Sequence, residues 1–176
     1  MFYAGVGSRR TPAPVLGLMT RCASRLFTLG FTLRSGGCPG PDQAFEAGAG
    51  DCKEIFLPTA GWQGNLSQFT SPSKVAMDMA ASIHPAWHRC SAFARLLHAR
   101  NVHQVLGPDC SDPVQFVLCY TPDGAEYADQ CNSYTGGTGM AIRIACAHAV
   151  PVFNMANEDA LVRLREHLEW LGVAVK

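Results

Sequence analysis

Apolar positions change their period repeatedly along this chain, and the changes mark out alternating strands and helices. Phe2 to Val6 is a short apolar run leading into Gly5-Val6-Gly7-Ser8-Arg9, which predicts a strand and a tight loop. Thr11-Pro12 then opens a helix, with Thr11 as N-cap and Val15, Met19, Cys22 and Leu26 on one face. Gly30 ends that helix. Phe31 to Leu33 predicts a second strand, Pro41 to Ala49 a helix, and Glu54 to Leu57 a third strand stopped by Pro58.

The middle of the chain, Thr59 to Ala86, loses this regularity. Gly61, Trp62, Gly64 and Asn65 read as a loop, and Ser73 to Ile83 as a short helix. Ala86 to Leu106 predicts a longer helix that stops at Gly107-Pro108. Val114 to Tyr120 is apolar on both faces, as a central parallel strand should be. Met140 to His148 predicts a helix and Val150 to Asn154 a last strand. Asn157, Glu158 and Asp159 cap a final helix whose stripe is Leu161, Leu164, Leu168 and Leu171. Strands alternating with helices predict an α/β fold over residues 1–176: one doubly wound, mostly parallel sheet in a single domain, with helices on both faces.

Composition narrows the functional classes. The 176 residues are 48% hydrophobic and 16% charged, enough for a sizeable core, and the formal net charge is zero. A protein devoted to a nucleic-acid backbone usually presents a basic surface, so the balance argues against that partner. No apolar run approaches the roughly 18 residues of a membrane span. The chain starts directly on a strand with no leader pattern, and its eight cysteines include Cys22, Cys119 and Cys146 at apolar positions. These features predict buried thiols in a reducing cytoplasm rather than a disulfide framework.

Two glycine-rich turns stand at equivalent places, each between a strand and a helix. The first is Ser35-Gly36-Gly37-Cys38-Pro39-Gly40-Pro41-Asp42 and the second Tyr134-Thr135-Gly136-Gly137-Thr138-Gly139-Met140. Glycine lets the backbone approach a ligand closely, and the first N–H groups of the following helix suit an anion. Gly136, Gly137, Thr138 and Gly139 are therefore candidate phosphate binders, as are Gly36 and Gly37. Gly7, Ser8 and Arg9 fall at the same, carboxyl end of the sheet, where doubly wound folds hold ligands. Arg143 lies one helical turn beyond Gly139. Asp42 and Glu46 share a helix face and could meet ribose hydroxyls, and Glu46 is the remaining candidate for acid–base chemistry. Asp123, just past the central strand, sits in a Pro-Asp-Gly turn. Trp62 is a candidate lid or base-stacking residue. His84 and His88 are separated by Pro85-Ala86-Trp87, and His98 and His103 are five apart; neither spacing predicts a metal site.

The order Gly-Ser-Arg after strand one, Ser-Gly-Gly-x-x-Gly-x-Asp after strand two, Ala99-Arg100-Asn101 on a helix and Gly-Gly-Thr-Gly after a later strand resembles the Rossmann-fold superfamily of LOG phosphoribohydrolases, DprA proteins and ligand-sensing SLOG domains. It covers roughly Phe2 to Asn154, and the short length is similar to the compact DprA-like proteins of phages. The resemblance adds Arg100 to the ligand site. LOG enzymes carry Pro-Gly-Gly-x-Gly-Thr-x-x-Glu. Here Gly136, Gly137 and Gly139 match the glycines, but Thr135 replaces the proline, Met140 the threonine and Arg143 the glutamate. Without that carboxylate the resemblance implies binding rather than cleavage of a phosphorylated, nucleotide-derived small molecule. A cyclic ADP-ribose-type or cyclic-nucleotide immune signal is the expected class, sequestered by a phage counter-defence sponge. It further implies a homo-oligomer in the cytoplasm (the host's, if the chain is viral) with no cofactor and no metal. Two alternatives stay open: a LOG-like nucleoside 5'-monophosphate N-glycosidase using Glu46 or Asp123, and a DprA-like single-stranded DNA binder.

Overall fold

Five short segments pair into one sheet whose strands all point the same way. A computed structural model describes residues 1–174. The strands are β1 (Phe2–Gly7), β2 (Thr32–Ser35), β3 (Lys53–Ile55), β4 (Val117–Tyr120) and β5 (Val152–Asn154), in the spatial order β3-β2-β1-β4-β5. Register sets Tyr3 beside Leu33, Gly5 beside Leu118, and Leu118 beside Phe153. Parallel neighbours need a crossover, and helices supply it: α1 (Ala13–Thr28), α2 (Pro41–Gly48), α3 (Lys74–Ile83), α4 (Ala92–Leu106) and α5 (Thr138–Ala147), with α6 (Ala160–Trp170) closing the chain.

Alternation along the strands divides the core in two. Tyr3, Leu33, Phe116, Leu118 and Phe153 face α1, α2 and α6, which contribute Met19, Leu26, Phe45, Leu164 and Leu168. Ala4, Val6, Val117, Cys119 and Val152 face α3, α4 and α5, which contribute Ala76, Ala80, Val102, Ile142 and Ile144. The architecture is the doubly wound, Rossmann-like α/β fold that the sequence pattern predicts, with every strand pair parallel. Among the described residues no helix is long and apolar enough to cross a membrane.

A buried arginine locks one side of the sheet. Arg34 on β2 is 2% exposed and lies over the Phe2 ring at 3.8 Å. It donates to Glu54 on β3 at 2.7 Å and to the Asp112 carboxylate at 2.8 Å. It also donates to the Asp112 carbonyl at 2.7 Å, so two carboxylates and a carbonyl replace the water that burial removes.

The element boundaries differ from the sequence expectation where a side chain finds a better partner than the one assumed. Thr11 is not the cap of α1. Its hydroxyl donates to the Ser8 carbonyl at 2.7 Å, and Pro12 takes the cap position without a side-chain bond. The long helix expected from Ala86 starts only at Ala92. Pro85 disfavours helical geometry at His84, which is extended (φ −75, ψ 121). A single 3-10 turn, Trp87–Arg89, follows, and Ser91 accepts the Ala94 N–H at 3.2 Å to cap a new helix. Asn157 does not cap α6, because its amide donates to the Gly124 carbonyl at 3.0 Å; Asp159 holds the cap position. All eight cysteines are free thiols; Cys119 is buried, whereas Cys22 and Cys146 are only half-buried.

Candidate functional site

The chain leaves β1 toward α1 and β4 toward α5, on opposite sides, so the carboxyl ends of these neighbouring strands form the switch point where such folds bind ligands. At β1 that end is already knitted together. The Ser8 N–H donates to the Tyr120 carbonyl at 2.9 Å, and the Ser8 hydroxyl accepts the Arg10 N–H at 3.2 Å. Gly7 lies against Pro41, whose Cβ would be 2.8 Å from any added methyl group. Arg9 is exposed on this loop.

At Gly36 and Gly37 the first glycine turn is filled by the protein itself, whereas a methyl group on Gly40 would meet nothing within 4 Å. Ser35 is fully buried and donates to the Gly5 carbonyl at 2.6 Å, which commits its hydroxyl to the sheet. Arg100 of α4, 6% exposed, donates to the Gly36 carbonyl and, at 2.8 Å, to the Cys38 sulfur. Its guanidinium stands 3.7 Å from Asp42, whose carboxylate also accepts the Cys38 N–H at 3.1 Å. A methyl group on Gly36 would overlap both Arg100 and Gln104. Burial pushes the Asp42 carboxyl above its usual range, although Arg100 and the Cys38 N–H pull it down. Burial likewise raises the Cys38 thiol, aided by Asp42 and opposed by Arg100.

Trp62 belongs to the same packing. It lies in a short 3-10 turn, Trp62–Gly64, with the Arg100 guanidinium 5.2 Å from its ring centre. The indole covers the arginine and the α2 side of the core. Glu46 faces Lys53 at 3.5 Å and accepts from the Asn65 amide at 3.3 Å. On the far side of Arg100 lies a cavity of about 210 Å³ bounded by Phe56, Phe69, Ser73 and His103.

The second glycine turn is open. Gly136 has φ 62, a left-handed conformation that glycine adopts without cost, and Gly137 occupies the cap position of α5. A methyl group on either would meet no heavy atom within 4 Å. Thr138 is the first residue of α5 rather than its cap. The N–H groups of Gly137 and Thr138 make no hydrogen bond among the described residues.

Braces hold this turn from behind. Thr135 is fully buried, donates to Asp123 and accepts the Asn132 N–H at 2.9 Å. Partial burial acts to raise the Asp123 carboxyl, but hydrogen bonds from Thr135, Thr121 and the Ala125 N–H outweigh it and hold the group below its usual range. The loop carrying Asp123 is itself tied to β5: Asn154 donates to Thr121 at 2.6 Å and to the Ala125 carbonyl at 2.9 Å. Glu126 in turn meets Arg163 at 2.8 Å.

In front of the turn lies a cleft of about 340 Å³. Gly136, Gly137 and Arg143 form one wall, and His84, Pro85 and His98 the other. Arg143 donates to the Cys131 carbonyl at 3.1 Å, which points the guanidinium along the cleft. Burial, then His84, then Arg100 depress the His98 pKa to about 4, and burial with Arg143 lowers that of His84, so both rings are neutral at physiological pH. Among the described residues no aspartate or glutamate lines the cleft. It offers a cation, helix-terminal N–H groups and neutral rings, a set that accepts an anion and has no carboxylate to activate water.

Of the residues singled out in the sequence, Gly136, Gly137, Gly139 and Arg143 converge on this cleft. Gly36, Gly37, Asp42, Arg100 and Trp62 gather at the filled turn instead, and Ser8 and Arg9 lie on neither cavity. His84, His98, Cys131, Asn132 and Ser133 line the cleft although the sequence reading gave them no role there. The sequence spacings pair His84 with His88 and His98 with His103, whereas the fold pairs His84 with His98 across two helices at 4.4 Å between ring centres. Compared with protein-family models, curated proteins and solved structures, the chain finds no significant match.

Proposed function

We propose that this protein binds a phosphorylated, nucleotide-derived small molecule in the Gly136–Arg143 cleft and holds it without cutting it. One observation carries the reading: an unfilled glycine turn at a helix N-terminus faces a cleft that contains Arg143 and no carboxylate. A phosphate oxygen would accept from the Gly137 and Thr138 N–H groups, and Arg143 would pair with it through two parallel N–H donors. The neutral rings of His84 and His98 supply flat, partly apolar surface for the rest of the ligand. The cleft volume is at the small end of the range for ligand pockets, which favours a mononucleotide-sized group over a polymer.

A binder of this kind lowers the free concentration of its ligand. A cyclic-nucleotide or cyclic ADP-ribose-type signal is the class that the sequence resemblance proposes, and sequestration within a cell's cytoplasm is the corresponding role. The test is calorimetry with a panel of 5'-nucleotides, cyclic nucleotides and cyclic ADP-ribose isomers, followed by chromatography of the recovered ligand. Binding with the ligand returned intact supports the proposal. Release of free base would make the protein an N-glycosidase, and salt-sensitive binding of single-stranded DNA alone would make it a DNA binder.

A further inference from the structure

Cys90 lies beside His84 and His98, the two histidines of the cleft wall. One ligand atom each from His84, Cys90 and His98 lie within 4.8 Å of one another, and among the described residues no other group of His, Cys, Asp or Glu is so arranged. The Cys90 sulfur is 3.9 Å from each ring nitrogen of His84. In a tetrahedral zinc site, with Zn–N about 2.0–2.1 Å and Zn–S about 2.3 Å, ligand atoms lie roughly 3.3–3.6 Å apart. The cluster is therefore within a small side-chain adjustment of coordination distance.

The three residues come from separate pieces of backbone. His84 ends α3, Cys90 precedes the Ser91 cap, and His98 sits on the second turn of α4. Pro85 and the 3-10 turn fold the intervening loop back so that the three side chains meet. His98 Nδ1 is buried and has no hydrogen-bond partner among the described residues, a polar atom that ordinarily finds one.

We infer that His84, Cys90 and His98 form a site for a zinc-class divalent metal ion. Two imidazoles and a thiolate are the donors that select Zn²⁺ over Mg²⁺ or Ca²⁺. Binding asks for two exchanges. The Cys90 thiol, now 3.7 Å from the Ala86 carbonyl, gives its proton to solvent. A His84 lone pair turns to the metal, in place of the Ala86 N–H that Nδ1 accepts at 3.1 Å. Arg143, across the cleft, opposes a cation here, and the thiolate charge offsets it. The inference stands on these three side chains and does not depend on the proposed nucleotide ligand.

The test is cobalt titration of metal-stripped, reduced protein with no nucleotide present. One Co²⁺ per chain should bind with a thiolate-to-cobalt charge-transfer band in the near ultraviolet. Cys90→Ser should abolish the band and His98→Gln should weaken binding, while His88→Gln, an exposed neighbour outside the cluster, should change neither. Survival of the band in Cys90→Ser, or its absence from the wild type, overturns the site. A second measurement needs no variant: alkylation of the native protein, read residue by residue by mass spectrometry. Zn²⁺ should protect Cys90, and equal labelling with and without Zn²⁺ would contradict the inference.

Discussion

The two glycine turns look alike in the sequence and do opposite things in the fold. At Gly36 the turn is plugged: Arg100 and Gln104, from a helix more than 60 residues later, occupy the space that glycine leaves. At Gly136 and Gly137 the same kind of turn is empty to 4 Å and opens on a cleft. Local sequence predicts that the backbone can cradle an anion. What fills the cradle, the chain's own guanidinium system or a ligand, is decided by a distant element.

Four substitutions probe that difference. The largest expected effect is at the filled turn. Arg100→Met leaves Asp42, 3% exposed, without its cation; breaking such a buried pair costs about 3–5 kcal/mol, read as a lower urea midpoint. Next comes a matched pair, Gly36→Ala and Gly137→Ala. Neither glycine has a positive φ, so only the surroundings differ. Gly36→Ala should cost about 1–3 kcal/mol by overpacking against Arg100 and Gln104. Gly137→Ala should stay within about 0.5 kcal/mol of wild type while weakening ligand binding. Equal stability losses would show that the two turns are not filled and open as described.

The smallest effect concerns the brace behind the open turn. The folded pKa of Asp123 lies below the ordinary value of 3.8, so on acidification the unfolded chain takes up this proton first. Its contribution to stability is present above pH 3.8 and is lost as the pH falls through the folded pKa. Asp123→Asn should lower the neutral plateau of a thermal-stability profile slightly and flatten that part of the acid limb, so that the variant and wild type converge at low pH. An acid limb identical to wild type would mean that Thr135 and Asp123 do not hold the turn together.

The strands and the doubly wound, parallel class were legible because such a sheet leaves short strand signals alternating with helical stripes; the spatial order of the strands was not. Val114 to Tyr120 is apolar on both faces and contains the interior strand β4 (Val117–Tyr120), next to the central β1; the two helix layers follow from Met19 and Leu26 on one side and from Ile142 and Ile144 on the other. The buried charges were not legible. Arg34 lies just past the strand expected at Phe31 to Leu33, and its burial rests on Glu54 of β3 and on Asp112, 78 residues away. Arg100, which the resemblance places at the ligand site, packs with Gln104 against Gly36 of the first turn, and both are buried. The break before Ala92 left a signal, Ser91 followed by a helical run, that an apolar count from Ala86 overrode. Cys90 beside two histidines depends wholly on that break.

The central claim is that Arg143 and the open turn hold a phosphorylated ligand intact. It is tested most directly by titrating the best-binding nucleotide of the panel into wild type and Arg143→Gln by calorimetry, with the ligand recovered and chromatographed. Loss of a charge-assisted pair worth about 1.5–3 kcal/mol predicts binding roughly tenfold or more weaker in the variant, with the nucleotide returned uncut from both. Equal affinity in the two proteins, or free base in the recovered sample, would contradict the account.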